Sequence, residues 1–146
     1  MQHSRKFYDI LLVEDNPGDV RLTQEAFKES GIPLKMNVVM DGEEAIKYLL
    51  LQFPYQEKKR PDLILLDLNI PKRDGKEVLS IIKNTDSLRS IPVLVLTTSN
   101  AEQDISKTYN MHVNAYINKP VDFERFFEIV QKIEDFWLNT AILPMS

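Results

Sequence analysis

The chain has 146 residues, is 43% hydrophobic, and carries 22 acidic against 18 basic side chains for a net charge of −4. That length suits one domain with a substantial core, and the mild negative charge argues against nonspecific binding to nucleic acid or anionic lipid. The lack of cysteine excludes disulfides, thiolate catalysis and cysteine-ligated metal.

Apolar runs of strand length alternate with longer amphipathic segments. The first run, Ile10-Leu11-Leu12-Val13, is followed by Glu14-Asp15 and then Asn16-Pro17, a capping residue with a proline preformed for the first helical turn. This helix is expected to end near Ser30-Gly31. A second strand is predicted over Lys35 to Met40, and Asp41-Gly42 turns into a helix carrying Ala45, Ile46, Leu49 and Leu50. Phe53 to Pro61 reads as a charged loop, longer than most connections. Leu63 to Leu66 is apolar throughout, as suits a strand buried on both faces. A helix over Gly75 to Asn84 and a fourth strand over Val93 to Leu96 follow. Then come a weaker helix from Ala101 to Asn110, a short fifth strand over Ala115 to Ile117, and a last helix from Val121 onward.

No stretch reaches the roughly 18 apolar residues of a membrane span, and the N-terminus lacks the apolar segment of a signal peptide. A cytoplasmic protein without membrane or nucleic-acid partners is expected. Strand-helix alternation of this kind implies an α/β fold: a doubly wound, five-stranded parallel sheet with helices on both faces and the flavodoxin-like strand order 2-1-3-4-5. Residues 1–146 are expected to form a single domain, its core at about 8–132, with an extended C-terminal helix and tail over 133–146.

In that order the first and third strands flank the switch point where such folds bind ligands. Glu14, Asp15 and Asp67 then share one crevice, with Thr97 and Lys119 delivered beside them by the fourth and fifth strands. Carboxylates so grouped need a cation or must in part protonate, and all-oxygen ligation favours Mg²⁺. An ammonium and a hydroxyl on the far side would hold phosphoryl oxygens. The centrally placed Asp67 is the expected nucleophile, forming an acyl phosphate.

These segments resemble the receiver domain of two-component response regulators. The matching pieces are Leu12 to Asn16, Leu65 to Pro71 with Asp74-Gly75, Pro92 to Ser99, and Asn118-Lys119-Pro120. The resemblance implies that Asp67 accepts a phosphoryl group from a histidine kinase. It implies that Asp15 and the backbone carbonyl of Asn69 bind Mg²⁺, with Glu14 acting directly or through water. It further implies that Lys119 pairs with the phosphoryl group, that Thr97 closes onto it, that Tyr116 is the aromatic switch residue, and that Lys119-Pro120 is a cis peptide. Phe136-Trp137-Leu138 through Leu143-Pro144, with Asn16-Pro17-Gly18-Asp19-Val20 and the loop around Phe53 to Arg60, is similar to a cyanobacterial subgroup of small regulators. That subgroup implies a phytochrome kinase as phosphodonor and a homodimer.

No output domain is expected, so signalling is expected by association, with phosphorelay or a phosphate sink as variants. An aspartyl phosphohydrolase is the enzyme alternative. It would need an acid two residues after the nucleophile, where Asn69 stands and cannot titrate. On the last helix Phe123, Phe126, Phe127, Val130, Ile133, Trp137 and Leu138 form one stripe facing the sheet. Ile129 and Phe136 flank it. Together with Trp137 and Leu143 they are expected to form an exposed patch for a second copy or a partner; the alternative is a tail folded back on its own domain.

Overall fold

Apolar runs become strands here because both faces of the sheet are covered. The computed structural model describes residues 7–29, 31–98 and 101–144. Strands β1 (Tyr8–Val13), β2 (Leu34–Val39), β3 (Leu63–Leu66), β4 (Val93–Thr97) and β5 (Ala115–Asn118) form one parallel sheet in the order β2-β1-β3-β4-β5. In register, Val13 pairs with Leu66 and Leu66 with Val95, so the carboxyl ends of β1, β3 and β4 lie side by side. Leu63, Ile64, Leu65 and Leu66 are fully buried. Alternate residues feed two cores. Ile64 and Leu66 join the one under helices α2 (Gly42–Leu49) and α3 (Gly75–Asn84). Leu63 and Leu65 join the one under α1 (Pro17–Glu29) and α5 (Phe123–Glu134).

Helix starts follow their capping residues. The side chains of Asp41, Asp74 and Asp122 accept from the amides of Glu44, Glu77 and Glu124, and that of Asn16 from Asp19. Ala101, before α4 (Glu102–Asn110), offers no such bond, in keeping with the weak pattern there. The expected end of α1 at Ser30 falls outside the described residues; Gly31 beyond it has a φ of 76°. The loop after α2 is tied down: Tyr55 Oη donates to Glu44 Oε1 at 2.5 Å, and Arg60 Nε to the Leu49 carbonyl at 3.1 Å.

The C-terminus departs most from expectation. The last helix starts at Phe123 rather than Val121, because Asp122 caps it. It widens into a π-type turn over Asp135–Thr140. Phe126, Val130, Ile133 and Leu138 are buried, but Phe123 is 65% exposed and so lies off the predicted stripe. Ile129 and Trp137 are half-buried against the α1/α5 core. Leu143, expected in an exposed patch, is instead buried in that same core. The tail folds back because the π-type turn ends beside β1, where Tyr8 Oη donates to the Leu138 carbonyl at 2.9 Å. Phe136 remains exposed, and so does Ile142. Leu143→Ala is therefore expected to cost about 2 kcal/mol by leaving a cavity. Ile142→Ser should change stability by less than about 0.5 kcal/mol. Urea midpoints of the two variants check both values.

Candidate functional site

The crevice at the carboxyl ends of β1 and β3 holds the expected acids. Glu14 and Asp15 follow β1, and Asp67 follows β3. One oxygen from each lies within 4.8 Å of the other two. Glu14 and Asp67 are buried, whereas Asp15 is exposed and faces the mouth. The backbone holds both buried acids in place. The amide of Asn16 donates to Glu14 Oε2 at 3.2 Å, and the amide of Asn69 to Asp67 Oδ1 at 3.0 Å.

Lys119 leaves the end of β5 with its amide on the Thr97 carbonyl at 2.7 Å. Its ammonium donates to Glu14 Oε1 at 2.5 Å, Asp19 Oδ2 at 2.9 Å and Asp67 Oδ2 at 3.0 Å. Burial by itself would lower the pKa of that ammonium. Hydrogen bonds to Glu14 and Asp19 and the charge of Asp67 outweigh burial, and Lys119 is held above the usual lysine range. Burial pushes the Glu14 carboxyl up to about 7 against the pull of Lys119, and the charge of Asp67 adds to the rise. Four acids, counting Asp15, thus face one base. The three grouped carboxylate oxygens of Glu14, Asp15 and Asp67, one of them exposed, suit a hard divalent cation.

Thr97, the last residue of β4, is fully buried, with Asn69 Nδ2 at 3.4 Å from its hydroxyl oxygen. Tyr116 on β5 is half-buried against the α2/α3 core, and its amide donates to Tyr109 Oη at 3.2 Å. The Lys119-Pro120 bond is trans, contrary to expectation; the cis bond among the described residues is Phe53-Pro54. Pairing of β5 with β4 already aims Lys119 at the crevice, and trans is the lower-energy form of an X-Pro bond.

Asp19 joins the site without a mark in the local sequence pattern. An acid in the first turn of a helix already has a local explanation in the helix dipole. Its one signal in the chain is its place in the Asn16 to Val20 segment.

A switch-point crevice lined by acids, with a lysine and a threonine from the next two strands, is the arrangement of a phosphoacceptor receiver. The profile of the response regulator receiver domain matches residues 10–131, and the chain belongs to that family. It is 49% identical to response regulator Rcp1 of Synechocystis sp. over 137 residues, 94% of this chain and 93% of that one. A crystal structure of the phosphorylated cyanobacterial phytochrome response regulator RcpA superposes with a TM-score of 0.93 at 51% identity, covering 95% of this chain and 99% of the other. The Mn²⁺-bound form of Rcp1 gives a TM-score of 0.93 at 48% identity over 94% and 99% of the two chains. Among the described residues no helix is long and apolar enough to cross a membrane.

Proposed function

We propose that Asp67 accepts a phosphoryl group from the phosphohistidine of a sensor histidine kinase, with Mg²⁺ held by Glu14, Asp15, Asp67 and the Asn69 carbonyl. The observation that carries this reading is the place of Asp67: it is buried, grouped with two other carboxylates, and 3.0 Å from the Lys119 ammonium. A carboxylate oxygen of Asp67 attacks phosphorus, a P–O bond forms as the P–N bond breaks, and the electron pair returns to the imidazole. Lys119 neutralises charge on the transferred group, and the Thr97 hydroxyl donates to one of its oxygens. Bound Mg²⁺ supplies further charge neutralisation for the phosphoryl oxygens. Burial of Asp67 and Thr97 limits the access of water to the acyl phosphate.

Thr97 moving toward the phosphoryl group frees the space beside β5 into which Tyr116 turns, altering the α4–β5–α5 face. The name of RcpA, a phytochrome response regulator, supports a phytochrome as the kinase and hence a light-driven pathway. Exposed Phe136, with half-buried Trp137 and Ile129, supports a homodimer through the C-terminal helix. Leu143 contributes only as the anchor of the tail.

Intact mass after incubation with Mg²⁺ and a small acyl phosphate tests the reading. One added phosphoryl group, dependent on Mg²⁺ and accompanied by a change in gel-filtration volume, is expected. Steady turnover of phosphate monoesters with no covalent product would point to a hydrolase instead.

A further inference from the structure

The three protons of the Lys119 ammonium go to three different carboxylates, and these are not equivalent. Glu14 and Asp67 stand at strand ends and belong to the divalent-cation group with Asp15. Asp19 comes from the first turn of α1 and stands outside that group. It is held in place by its neighbours: its amide donates to Asn16 Oδ1 at 3.1 Å, and its carbonyl accepts from Thr23 Oγ1 at 2.7 Å. Its side chain is 29% exposed, against 5% for Lys119, 4% for Glu14 and 8% for Asp67. It opens on a cleft between α1 and the β5–α5 connection, walled by Leu22, Val121 and Phe123.

We propose that Asp19 is a positioning residue that competes with the phosphoacceptor for the Lys119 ammonium, 2.9 Å from Asp19 and 3.0 Å from Asp67, and so sets how strongly Lys119 grips an anion on Asp67. The proposal rests on reading Asp67 as the phosphoacceptor. A divalent cation on the carboxylate group would offset the charges of Glu14 and Asp67, and phosphorylation of Asp67 replaces its carboxylate charge with that of the phosphoryl group, the anion Lys119 is to grip. Asp19 lies outside that group, so neither event acts on it directly. Of the three acids on Lys119, it is therefore the one that still competes for the ammonium when a phosphoryl group is present. The persistence of this competitor follows from where it sits: the first turn of α1 holds it, independent of the loop that carries Asp67.

The test uses the full chain with saturating Mg²⁺ and beryllium trifluoride, a phosphoryl mimic, titrated by amide chemical shifts. Asp19→Asn removes the charge and keeps the shape. It is expected to bind the trifluoride roughly fivefold tighter than wild type, within the range over which neighbouring charged residues couple. Asp19→Glu should return the affinity toward wild type. In a Lys119→Met background, Asp19→Asn should leave the affinity unchanged, because the effect travels through the ammonium. Equal affinity in wild type and Asp19→Asn overturns the proposal, and so does the same gain in the Lys119→Met background. The Lys119 ammonium resonance, read in the single Asp19→Asn variant, gives a second measure that does not need the methionine variant to fold. An unmoved resonance would also overturn the proposal. A wild-type protein that binds no trifluoride would remove the phosphoacceptor reading itself, and this proposal with it.

Discussion

Asp67→Asn is expected to abolish phosphoryl addition completely while making the metal-free fold more stable. The amide keeps the shape of the carboxylate and can still accept from the Asn69 amide, now at 3.0 Å from Asp67 Oδ1. It cannot form an acyl phosphate under these conditions. In metal-free protein, Asp67 is one of several acids around a single ammonium, and its charge helps to push the Glu14 carboxyl up. Neutralising it relieves that repulsion at the cost of one ion pair to Lys119, for a net gain of about 1 kcal/mol. Divalent-cation affinity should fall, because one of three grouped carboxylates no longer carries charge. Addition of Mg²⁺ should then raise the melting temperature of the variant less than that of wild type. Intact mass and melting curves with and without Mg²⁺ check all three effects. A phosphoryl group retained on the variant would place the acceptor elsewhere. A variant less stable than wild type without metal would mean that the Lys119 attraction exceeds the repulsion among the acids.

Gly42→Ala should destabilise the fold by about 3 kcal/mol, toward the upper end for overpacking. A Cβ at Gly42 would lie 1.7 Å from the Arg73 carbonyl oxygen and 2.6 Å from its carbon, both backbone atoms that cannot rotate aside. The approach is close because α2 begins against the β3–α3 loop, where the Gly42 amide donates to the Pro71 carbonyl at 3.1 Å. Gly75 makes the matching approach from α3, its added Cβ falling 2.5 Å from Leu68 Cα and 2.6 Å from the Asp67 carbonyl oxygen. The two glycines clamp the segment that carries Asp67 and Asn69, so both alanine variants should also weaken Mg²⁺ binding. Gly31→Ala is the control. Its φ of 76° strains any side chain, but nothing lies within 4 Å, and about 1 kcal/mol is expected. Denaturant midpoints beside Mg²⁺ titrations measure the contrast. A Gly42→Ala protein as stable as Gly31→Ala would show that the loop can yield.

Much of this architecture could be read from residue order. The bounds expected for β3 and α3 coincide with those observed, Leu63–Leu66 and Gly75–Asn84. An unbroken apolar run marks a strand covered on both faces, and Asp74-Gly75 marks a capped start. Strand ends elsewhere moved by a residue, as at Thr97 and Asn118, because ladder pairing with a neighbour carries the strand on past its apolar run. The crevice residues were legible because each follows a strand, and parallel strands share an edge.

What local pattern determined, then, is the set of elements, their order in the sheet and the acids at its carboxyl edge, since periodicity and capping act over a few residues. Tertiary structure alone decided three further matters. It brought Asp19 to Lys119, 100 residues away. It folded Leu143 into the core while leaving Phe123 exposed. And it kept Lys119-Pro120 trans. Each depends on where distant segments meet in space, and a contact between distant segments leaves no period or cap in the chain to announce it.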